Sequence, residues 1–372
     1  MNTVHILKEY LEALRTHGIL AGSTVPDTLL QREIECLTYD TRALGKNALF
    51  ICKGAHFKEE YLRDALSHGA VAYVAEQPHS VDAPCILVSD IRYSLVVLGR
   101  LFYNDVTHRL ASIAITGTKG KSTTAYYVRY ILNDWLRAQK KPDCAILSSI
   151  DNYDGASTEE SHITTPEVLE LYQHFENAYE HHIPYLVMEA SSQALKYGRV
   201  RDIPFTVGAF LNIGADHISP IEHPDFEDYF SSKLKIFDSC RFGCVNTDAK
   251  HADRVIEYAK GRCELITFGS HETDTVYCKH TEKRADGLYF TVVSPKYNGE
   301  FSITMPGLFN VSNALAAIAI CMTLDVPEEY VRSGLRKARA AGRMQIYESR
   351  DGRVAVIVDY AHNRMSFDAL YR

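Results

Sequence analysis

A glycine-rich turn with lysine and hydroxyl side chains lies between the β-branched run ASIAIT and TTAYYVRYILNDWLRAQKK, whose apolar residues form one stripe at helical spacing. Its residues are Gly117, Thr118, Lys119, Gly120, Lys121, Ser122 and Thr123. Backbone N–H groups of such a turn bind phosphate oxygens at the beginning of a helix. Lys121 is placed to reach the outer phosphates of a nucleotide, and Ser122 is placed to hold Mg²⁺. This spacing, GTxGK[ST], predicts a short phosphate-binding loop rather than a chance glycine turn.

Three other side chains suited to metal or proton chemistry follow predicted strands or lie on a predicted helix. Glu189 ends YLVME, and open α/β sheets bind ligands at the carboxyl ends of their strands, so its carboxylate is a candidate Mg²⁺ ligand. His217 follows AFLNI, and Lys233 lies in YFSSKLKIF together with Lys235, but position alone distinguishes neither residue. Position alone leaves ordinary alternatives open: a carboxylate in solvent, a packed or surface histidine, and lysines on a solvated helix face.

Two blocks of helices and strands must position these residues. Residues 1–105 have apolar residues at helical spacing over 4–16 and 91–102, and the short apolar strands LFICKG, AVAYVAE and PCILVSD. From residue 106 onward, ASIAIT, CAILSS, IPYLVMEA, VGAFLNI and LITFG alternate with helical stretches. Continuous apolar strands between helices are typical of a parallel sheet covered on both faces. We therefore predict an α/β fold with an N-terminal α/β domain and a central phosphate-loop domain on a mostly parallel sheet.

Residues 275–304 depart from this alternation. Apolar and polar residues alternate there across two turns, Asp286-Gly287 and Asn298-Gly299, which predicts a small antiparallel meander. FNVSNALAAIAICMTL then predicts a helix, and VAVIVDYAH predicts a strand that opens a third domain shortly before the sequence ends. We expect domain limits of 1–105, 106–343 and 344–372, with the third domain truncated.

Composition excludes several classes of protein. The 372 residues include 40 Lys and Arg against 47 Asp and Glu, a net charge of −7, which argues against a dedicated nucleic-acid binder. The sequence contains neither a signal peptide nor an apolar run long enough for a membrane span, which predicts a cytoplasmic protein without membrane insertion. Nine cysteines without a CxxC pair indicate reduced thiols that serve mostly in packing.

Together with the phosphate loop, several segments resemble the Mur ligase family of ATP-dependent amide-forming enzymes. The segments that carry the resemblance are ITGTKGKSTT, YDTRALGKNALFICKG, ITTPE, MEASSQALKYGRV, FLNIGADH, YFSSKLKIF, MPGLFNVSNALAA and VDYAH. They occur in the family's order over nearly the whole chain. ITTPE and MEASSQALKYGRV are similar to the subfamily that adds the third residue to UDP-N-acetylmuramoyl-L-alanyl-D-glutamate in peptidoglycan precursor synthesis.

The resemblance implies a reaction and its participants. ATP would phosphorylate a carboxylate of UDP-N-acetylmuramoyl-L-alanyl-D-glutamate, and a free amino acid would attack the acyl phosphate, with Mg²⁺ as the metal. The catalytic residues implied by the family pattern are Lys121, Glu189, His217 and Lys233. The metal ligands implied are Ser122, Glu189, His217 and Lys233, the last as a carbamate. The N-terminal domain would bind the uridine nucleotide.

The same resemblance implies two binding sets. Beyond the loop residues 117–123, the ATP set comprises Asn310, Asn313, Arg343 and Asp359. The set that binds the uridine substrate comprises Thr41, Arg42, Thr164, Thr165, Ser191 and Arg199. From its position, Asn310 has an ordinary alternative role in helix capping.

Two rival functions stay open at this point. Folylpolyglutamate synthetase shares the loop and the reaction type, but its pattern begins near the phosphate-loop domain, so residues 1–105 argue against it. A non-catalytic paralogue would bind nucleotide without ligation. Because the third domain is truncated, we expect the chain as given to show little or no ligation, and the sequence does not identify the amino acid that is added.

Overall fold

The computed structural model describes residues 3–54, 57–214, 216, 218–349, 353–361 and 367. The described residues form two compact units. The first unit draws on Met1–Arg109, Pro166–Glu176 and Tyr197–Asp202, and the second on Leu110–Thr165, Asn177–Lys196 and Ile203–Arg372. The predicted limits of three domains stay a prediction.

The first unit contains a five-stranded sheet and three complete helices. Its strands are β1 (Leu20–Ser23), β2 (Cys36–Thr38), β3 (Ala48–Ile51), β4 (Ala70–Ala75) and β5 (Cys85–Val88), and its helices are α1 (Leu7–Thr16), α2 (Glu59–Ser67) and α3 (Ile91–Phe102). The sheet order is β1-β5-β4-β3-β2, in which only β1 is antiparallel to its neighbour. Asp90 begins α3 by accepting the N–H groups of Arg92 and Tyr93. The predicted strands and helices of this block are confirmed.

The remaining elements belong to the second unit, apart from the first nine residues of α5, which pack with the first. The helices are α4 (Lys121–Ala138), α5 (Val168–Glu180), α6 (Ser192–Lys196), α7 (Phe226–Leu234), α8 (Ala252–Ala259), α9 (Phe309–Thr323) and α10 (Glu328–Lys337). The strands are β6 (Ala111–Thr116), β7 (Ala145–Leu147), β8 (Asp151–Tyr153), β9 (Thr158–Glu160), β10 (Tyr185–Glu189), β11 (Phe205–Phe210), β12 (Cys240–Asn246), β13 (Glu264–Gly269), β14 (Val276–Arg284), β15 (Gly287–Val293), β16 (Gly299–Ile303), β17 (Gln345–Glu348) and β18 (Ala355–Val358).

An eleven-stranded sheet forms the centre of the second unit. Its order is β16-β15-β14-β13-β12-β11-β6-β10-β7-β8-β9, parallel from β14 to β7 and antiparallel at both ends. The predicted meander is β14–β16, so the predicted fold class is confirmed. The antiparallel hairpin β8–β9 at the other end was not predicted, since its strands are short and polar. β17 and β18 form a separate two-stranded sheet.

The register of the central strands decides which side chains meet. β6 lies between β10 and β11, with Ile115 opposite Glu189 and Thr116 opposite Phe210. Because these strands are parallel, their carboxyl ends lie at one edge of the sheet. The phosphate loop after β6, Glu189 and the segment after β11 therefore start from neighbouring positions.

Helix α4 packs on this sheet with the apolar stripe that the sequence predicted. Val128, Ile131, Leu132 and Leu136 are buried, and they contribute to one core together with residues of α9 and the central strands. Because the stripe runs along the helix from its first turns, packing fixes the direction in which the helix N-terminus and the loop before it point.

All nine cysteines are free thiols, as the sequence indicated. Across the described ranges, none of the helices has the length and apolar character needed to span a bilayer.

Candidate active site

The phosphate loop joins β6 to α4 and is shaped by two glycines with positive φ. Gly117 has a φ of 156° and Gly120 a φ of 87°. A Cβ atom at Gly120 would lie 2.2 Å from Oδ1 of Asn313, so a larger residue there would have to displace the Asn313 side chain. An α-helix leaves its first N–H groups without intrahelical partners, and α4 begins directly after this glycine. The strand–turn–helix arrangement is as predicted, while phosphate binding stays a prediction.

Asn212, which follows β11, holds the loop from the neighbouring strand. Its Oδ1 accepts the N–H of Lys119 at 2.9 Å, and its Nδ2 donates to the Lys119 carbonyl at 2.9 Å. The Asn212 carbonyl also accepts the N–H of Thr118 at 3.1 Å. The sequence analysis assigned Asn212 no role, although it lies within FLNIGADH. A polar residue directly after a buried strand was the available signal.

Two lysines share one carbonyl oxygen of the loop. The Nζ atoms of Lys121 and Lys233 each donate to the Gly117 carbonyl at 3.0 Å. Burial lowers the pKa of both amines, and for Lys233, which is 2% exposed, the charge of Lys121 lowers the pKa further while Asp216 opposes the shift. Lys233 therefore does not lie on a solvated helix face, whereas Lys235 is exposed.

A chain of hydrogen bonds joins Arg343 to Glu189 through two serines. Nη2 of Arg343 donates to Ser122 Oγ at 3.0 Å, and the hydroxyls of Ser122 and Ser149 lie 3.1 Å apart. Ser149 donates to Oε1 of Glu189 from its N–H at 2.8 Å and from its hydroxyl at 3.2 Å. Glu189 is 1% exposed, so the alternative of a carboxylate in solvent is not what the structure shows. Ser149 was missed because a serine after a strand carries no motif.

The oxygen atoms of Ser122 and Glu189 fit a Mg²⁺ ion held together with a nucleotide. Mg²⁺ prefers oxygen ligands, and proteins commonly hold it with one or two carboxylates plus phosphates. Within the described ranges, no three His, Cys, Asp or Glu side chains converge on a metal position of their own. His217 lies outside the described residues. Its neighbour Asp216 forms an ion pair with Lys119 at 3.5 Å.

Residues of the predicted substrate set surround the end of β10. Thr165 donates its hydroxyl to the Glu189 carbonyl at 2.8 Å and accepts the N–H of Ser191 at 3.0 Å. The Ser191 hydroxyl lies 3.2 Å from that of Thr165 and accepts the N–H of Ala194. Thr164 precedes them and is half-buried. The structure thus brings the hydroxyls of Thr165 and Ser191 to the strand end that carries Glu189.

Two buried asparagines lie against the other side of the loop. Nδ2 of Asn310 donates to the Pro306 carbonyl at 2.6 Å, and Nδ2 of Asn313 donates to Oδ1 of Asn310 at 3.0 Å. The capping position of α9 is Leu308, so Asn310 is not the capping residue. The contact of Asn313 with Gly120 connects this pair to the phosphate loop.

Asp359, the last member of the predicted ATP set, follows β18. Its Oδ2 accepts the N–H of Met344 at 2.8 Å. Met344 follows Arg343, whose guanidinium reaches Ser122, so this bond fixes the backbone next to that arginine. Asp359 thereby supports the arginine side of the site.

In the first unit, the predicted substrate residue Arg199 forms an ion pair that sequence analysis did not foresee. Its Nη2 lies 2.5 Å from Oε1 of Glu167, and Lys53 pairs with the other carboxylate oxygen. These side chains border a cavity of about 160 Å³. Its other lining residues are Arg92, Leu95, Val168 and Tyr197. Glu167 was not predicted, because the family resemblance of ITTPE rests on its Thr-Thr-Pro part.

Thr41 and Arg42 lie in a short 3₁₀ turn of the same unit. The turn begins at Asp40, whose carboxylate accepts the N–H and the guanidinium of Arg42. The Arg42 side chain is 88% exposed, so its guanidinium is accessible from solvent. Proximity to a bound uridine nucleotide stays a prediction for both residues.

Comparison with known proteins identifies a family. The Mur ligase middle domain matches residues 115–321. UDP-N-acetylmuramoyl-L-alanyl-D-glutamate--L-lysine ligase of Enterococcus faecalis is 37% identical over 365 residues, which cover 96% of this chain and 70% of that protein. The chain thus spans about 70% of the length of this relative.

Solved structures share the fold. The structure of a UDP-N-acetylmuramoyl-L-alanyl-D-glutamate--2,6-diaminopimelate ligase superposes on this chain with a TM-score of 0.80 at 22% identity. The superposition covers 100% of this chain and 74% of that protein. Folylpolyglutamate synthase of Mycobacterium tuberculosis, in complexes with ADP and AMPPCP, covers only 75% of the chain, with a TM-score of 0.58 at 15% identity, and 69% of its own length. From the family match and the identity to the lysine ligase, the chain belongs to the Mur ligase family.

Proposed function

We propose that this chain is part of an ATP-dependent ligase that adds L-lysine to UDP-N-acetylmuramoyl-L-alanyl-D-glutamate. The Enterococcus faecalis relative carries that activity in its name. The structural observation that supports the proposal most is the hydroxyl chain from Ser122 to Glu189. It connects a phosphate-loop hydroxyl with a buried carboxylate at the strand end where Thr165 and Ser191 also lie.

The proposed reaction needs no protein nucleophile. An oxygen of the substrate carboxylate attacks the γ-phosphorus of ATP, the bond to the β-phosphate oxygen breaks, and ADP leaves. The lysine amine then attacks the acyl carbon and loses a proton, and inorganic phosphate leaves as the amide forms. For such a reaction the chain must mainly position the reactants and neutralise negative charge.

The basic groups of the loop supply that charge. Lys121 and Lys119 would meet phosphate oxygens, with the N–H groups at the start of α4 as further donors. Arg343, which reaches Ser122, would contact the phosphates from the other side. Asn310, Asn313 and Asp359 would bind the adenosine part.

Mg²⁺, when bound, would neutralise phosphate oxygens and bring them to the substrate carboxylate. Ser122 and Glu189 would hold it, with His217 and a carbamate of Lys233 as further ligands. Burial favours the neutral amine of Lys233, and a neutral amine reacts with CO₂ to give a carbamate and a proton. The product replaces a cation by a carboxylate-like group in the same buried place.

Residues of the predicted substrate set would bind the uridine substrate. Thr164, Thr165 and Ser191 offer hydroxyls to the muramoyl peptide near Glu189. Arg199 offers a guanidinium to a carboxylate, in competition with Glu167. Thr41 and Arg42 would meet the uridine diphosphate. A protein in which residues 1–372 only bind nucleotide is the alternative from a different class.

The deciding experiment measures ADP release and product mass with the full natural polypeptide that contains these residues. UDP-N-acetylmuramoyl-L-alanyl-D-glutamate is offered with L-lysine, D-lysine or diaminopimelate, and folate with glutamate serves as a separate arm. We expect ADP release and the tripeptide product with L-lysine. In the same assay, Glu189→Gln should lose at least about a hundredfold in rate, as when a transition-state contact to charge is removed.

Glu180, the exposed last residue of α5, provides a matched control. Glu180→Gln makes the same change from carboxylate to amide at a position outside the site. Amino-acid-independent ADP release, or a Glu189→Gln variant as active as the parent, would contradict the proposal. ATP binding without any turnover would favour the non-catalytic alternative, and turnover only with folate would favour the folylpolyglutamate class.

A further inference from the structure

Tyr229 of α7 contacts the phosphate loop with its hydroxyl. The residue is completely buried, and its hydroxyl lies 3.0 Å from Oγ1 of Thr118. Thr118 is itself 5% exposed, and its hydroxyl oxygen accepts the N–H of Gly214 at 3.0 Å. One side chain of the loop is therefore held by two partners that lie far away in sequence, and Tyr229 is one of them.

The ring of the same tyrosine borders the amine of Lys233. Nζ of Lys233 lies 4.9 Å from the ring centroid and 3.0 Å from the Gly117 carbonyl oxygen. Tyr229 and Lys233 are four residues apart on α7, so they share a helix face. The amine is thus bordered by a loop carbonyl and by an aromatic ring, and both belong to the structure that holds the loop.

The position of the ring does not depend on its hydroxyl. His223, which is completely buried, packs against it with centroids 5.1 Å apart at 65°. His223 in turn is hydrogen-bonded to Ser192 of α6 at 3.0 Å and to Asp228 of α7 at 2.6 Å. Removal of the hydroxyl alone should therefore leave the ring in place.

We propose that Tyr229 is a positioning residue with two separable roles: its hydroxyl holds the phosphate loop for ATP, and its ring holds the Lys233 amine. Without the tyrosine hydroxyl, the Thr118 hydroxyl keeps only the bond from Gly214 among the described residues, and the loop that binds phosphate is less firmly held. Without the ring, the Lys233 amine loses the aromatic neighbour on one side. The inference rests on the proposed function, since it assigns ATP to the loop and the carbamate to Lys233.

Tyr229→Phe tests the role of the hydroxyl by titration of MgATP into the 372-residue chain. We expect the dissociation constant to rise about threefold to tenfold, the range for one lost hydrogen bond. Tyr127→Phe is the matched control. Tyr127 is also completely buried in the second unit, and no described residue forms a hydrogen bond with its hydroxyl. The control should bind MgATP like the parent.

Tyr229→Leu tests the role of the ring in the ligation assay with the full natural polypeptide. We expect its ATP affinity to fall as in Tyr229→Phe, and its kcat to fall at least about thirtyfold because the reacting groups are misplaced. Tyr229→Phe should keep kcat within about twofold of the parent and change mainly KM for ATP. A merely structural tyrosine would lower the unfolding temperature without such a split between KM and kcat.

The outcomes separate the inference from the proposed function. A parent chain that does not bind MgATP overturns the proposed function. A parent that binds, with a Tyr229→Phe variant of equal affinity, overturns the inference. Equal kcat values for Tyr229→Leu and Tyr229→Phe overturn the role of the ring. If the leucine variant does not fold, the phenylalanine variant still decides the role of the hydroxyl.

Discussion

The two units hold cations that are partly or fully buried in opposite ways. In the first unit, Lys53 and Arg199 divide the two carboxylate oxygens of Glu167 between them. In the second, Lys121 and Lys233 share the carbonyl oxygen of Gly117, and neither forms a salt bridge with a described carboxylate. In the first arrangement, a carboxylate compensates much of the positive charge. In the second, both amines have only an uncharged carbonyl group as their shared acceptor.

From this difference we predict which of the two sites binds an anion more readily. A carbonyl cannot neutralise an ammonium group, and burial lowers the pKa of both Lys121 and Lys233. A negative charge that enters this site should therefore stabilise it. An anion that enters the first unit must instead compete with Glu167. We expect that ligands change the second unit more strongly than the first, and substitutions in both units test this expectation.

The largest effect is expected for Lys233→Ala in the ligation assay. If Lys233 supplies a carbamate to the metal, the rate should fall at least about a thousandfold while ATP affinity stays near that of the parent. Formate or acetate should restore part of the rate, because the site needs a negative oxygen at that place. The exposed Lys235 is the control, and Lys235→Ala should behave like the parent. A bare amine in an active, metal-loaded enzyme, seen by mass or density, would refute the carbamate.

Lys121→Ala should produce the next largest change, in nucleotide binding. Charge-assisted hydrogen bonds to phosphate are worth about 1.5–3 kcal/mol each, so MgATP affinity should fall about a hundredfold when they are lost. Titration calorimetry on the 372-residue chain measures it, with Lys141→Ala on the exposed end after α4 as the control. Lys53→Ala should leave MgATP affinity unchanged. An equal loss in Lys53→Ala and Lys121→Ala would break the comparison between the units.

Stability should respond with opposite signs when each type of cation is replaced. Lys233→Met removes a buried amine without a carboxylate partner and should stabilise the chain by about 1–2 kcal/mol at pH 7, whereas Lys53→Met breaks an ion pair and should destabilise it by about 1–3 kcal/mol. Thermal unfolding in bicarbonate-free buffer avoids the carbamate. Destabilisation by both substitutions would show that the Gly117 carbonyl compensates Lys233 adequately.

The gain from Lys233→Met should depend on pH. The pKa of Lys233 is lowered in the folded chain, so the folded state binds fewer protons than the unfolded state between that pKa and the ordinary value of 10.5. The parent therefore becomes more stable as the pH rises through this window, and the advantage of Lys233→Met should shrink. A gain that is constant from pH 7 to pH 10 would contradict a charge origin.

Arg42→Ala should have the smallest effect on folding. Its guanidinium is 88% exposed and pairs with Asp40, and surface ion pairs of this kind contribute about 0–1 kcal/mol. We expect a change within about 0.5 kcal/mol and a severalfold loss of affinity for UDP-N-acetylmuramoyl-L-alanyl-D-glutamate, measured by titration. The exposed Arg32 provides the control. Unchanged substrate affinity in Arg42→Ala would remove this residue from the substrate set.

Sequence patterns predicted the elements whose signals are local. Propensity and periodicity act over short stretches of sequence. Such stretches contain the apolar run ASIAIT, the glycines of the loop and the stripe on α4. β12 escaped prediction because Arg241 and Gly243 interrupt its apolar residues. Its place in the sheet comes from pairing with β11 and β13, which a local pattern does not record.

By itself, the sequence determined the chemistry that is available: a phosphate loop, a carboxylate at a strand end, two lysines near one helix, and an α/β order of elements. Tertiary structure alone decided the partners. Ser149 beside Glu189, Asn212 beside the loop and Tyr229 beside Lys233 are joined across strands and helices that are distant in sequence. The physical reason is that burial and the available hydrogen-bond acceptor determine the charge state of a side chain and the groups that it can contact. Lys233 and Lys235, two residues apart, end as a buried amine and an exposed one.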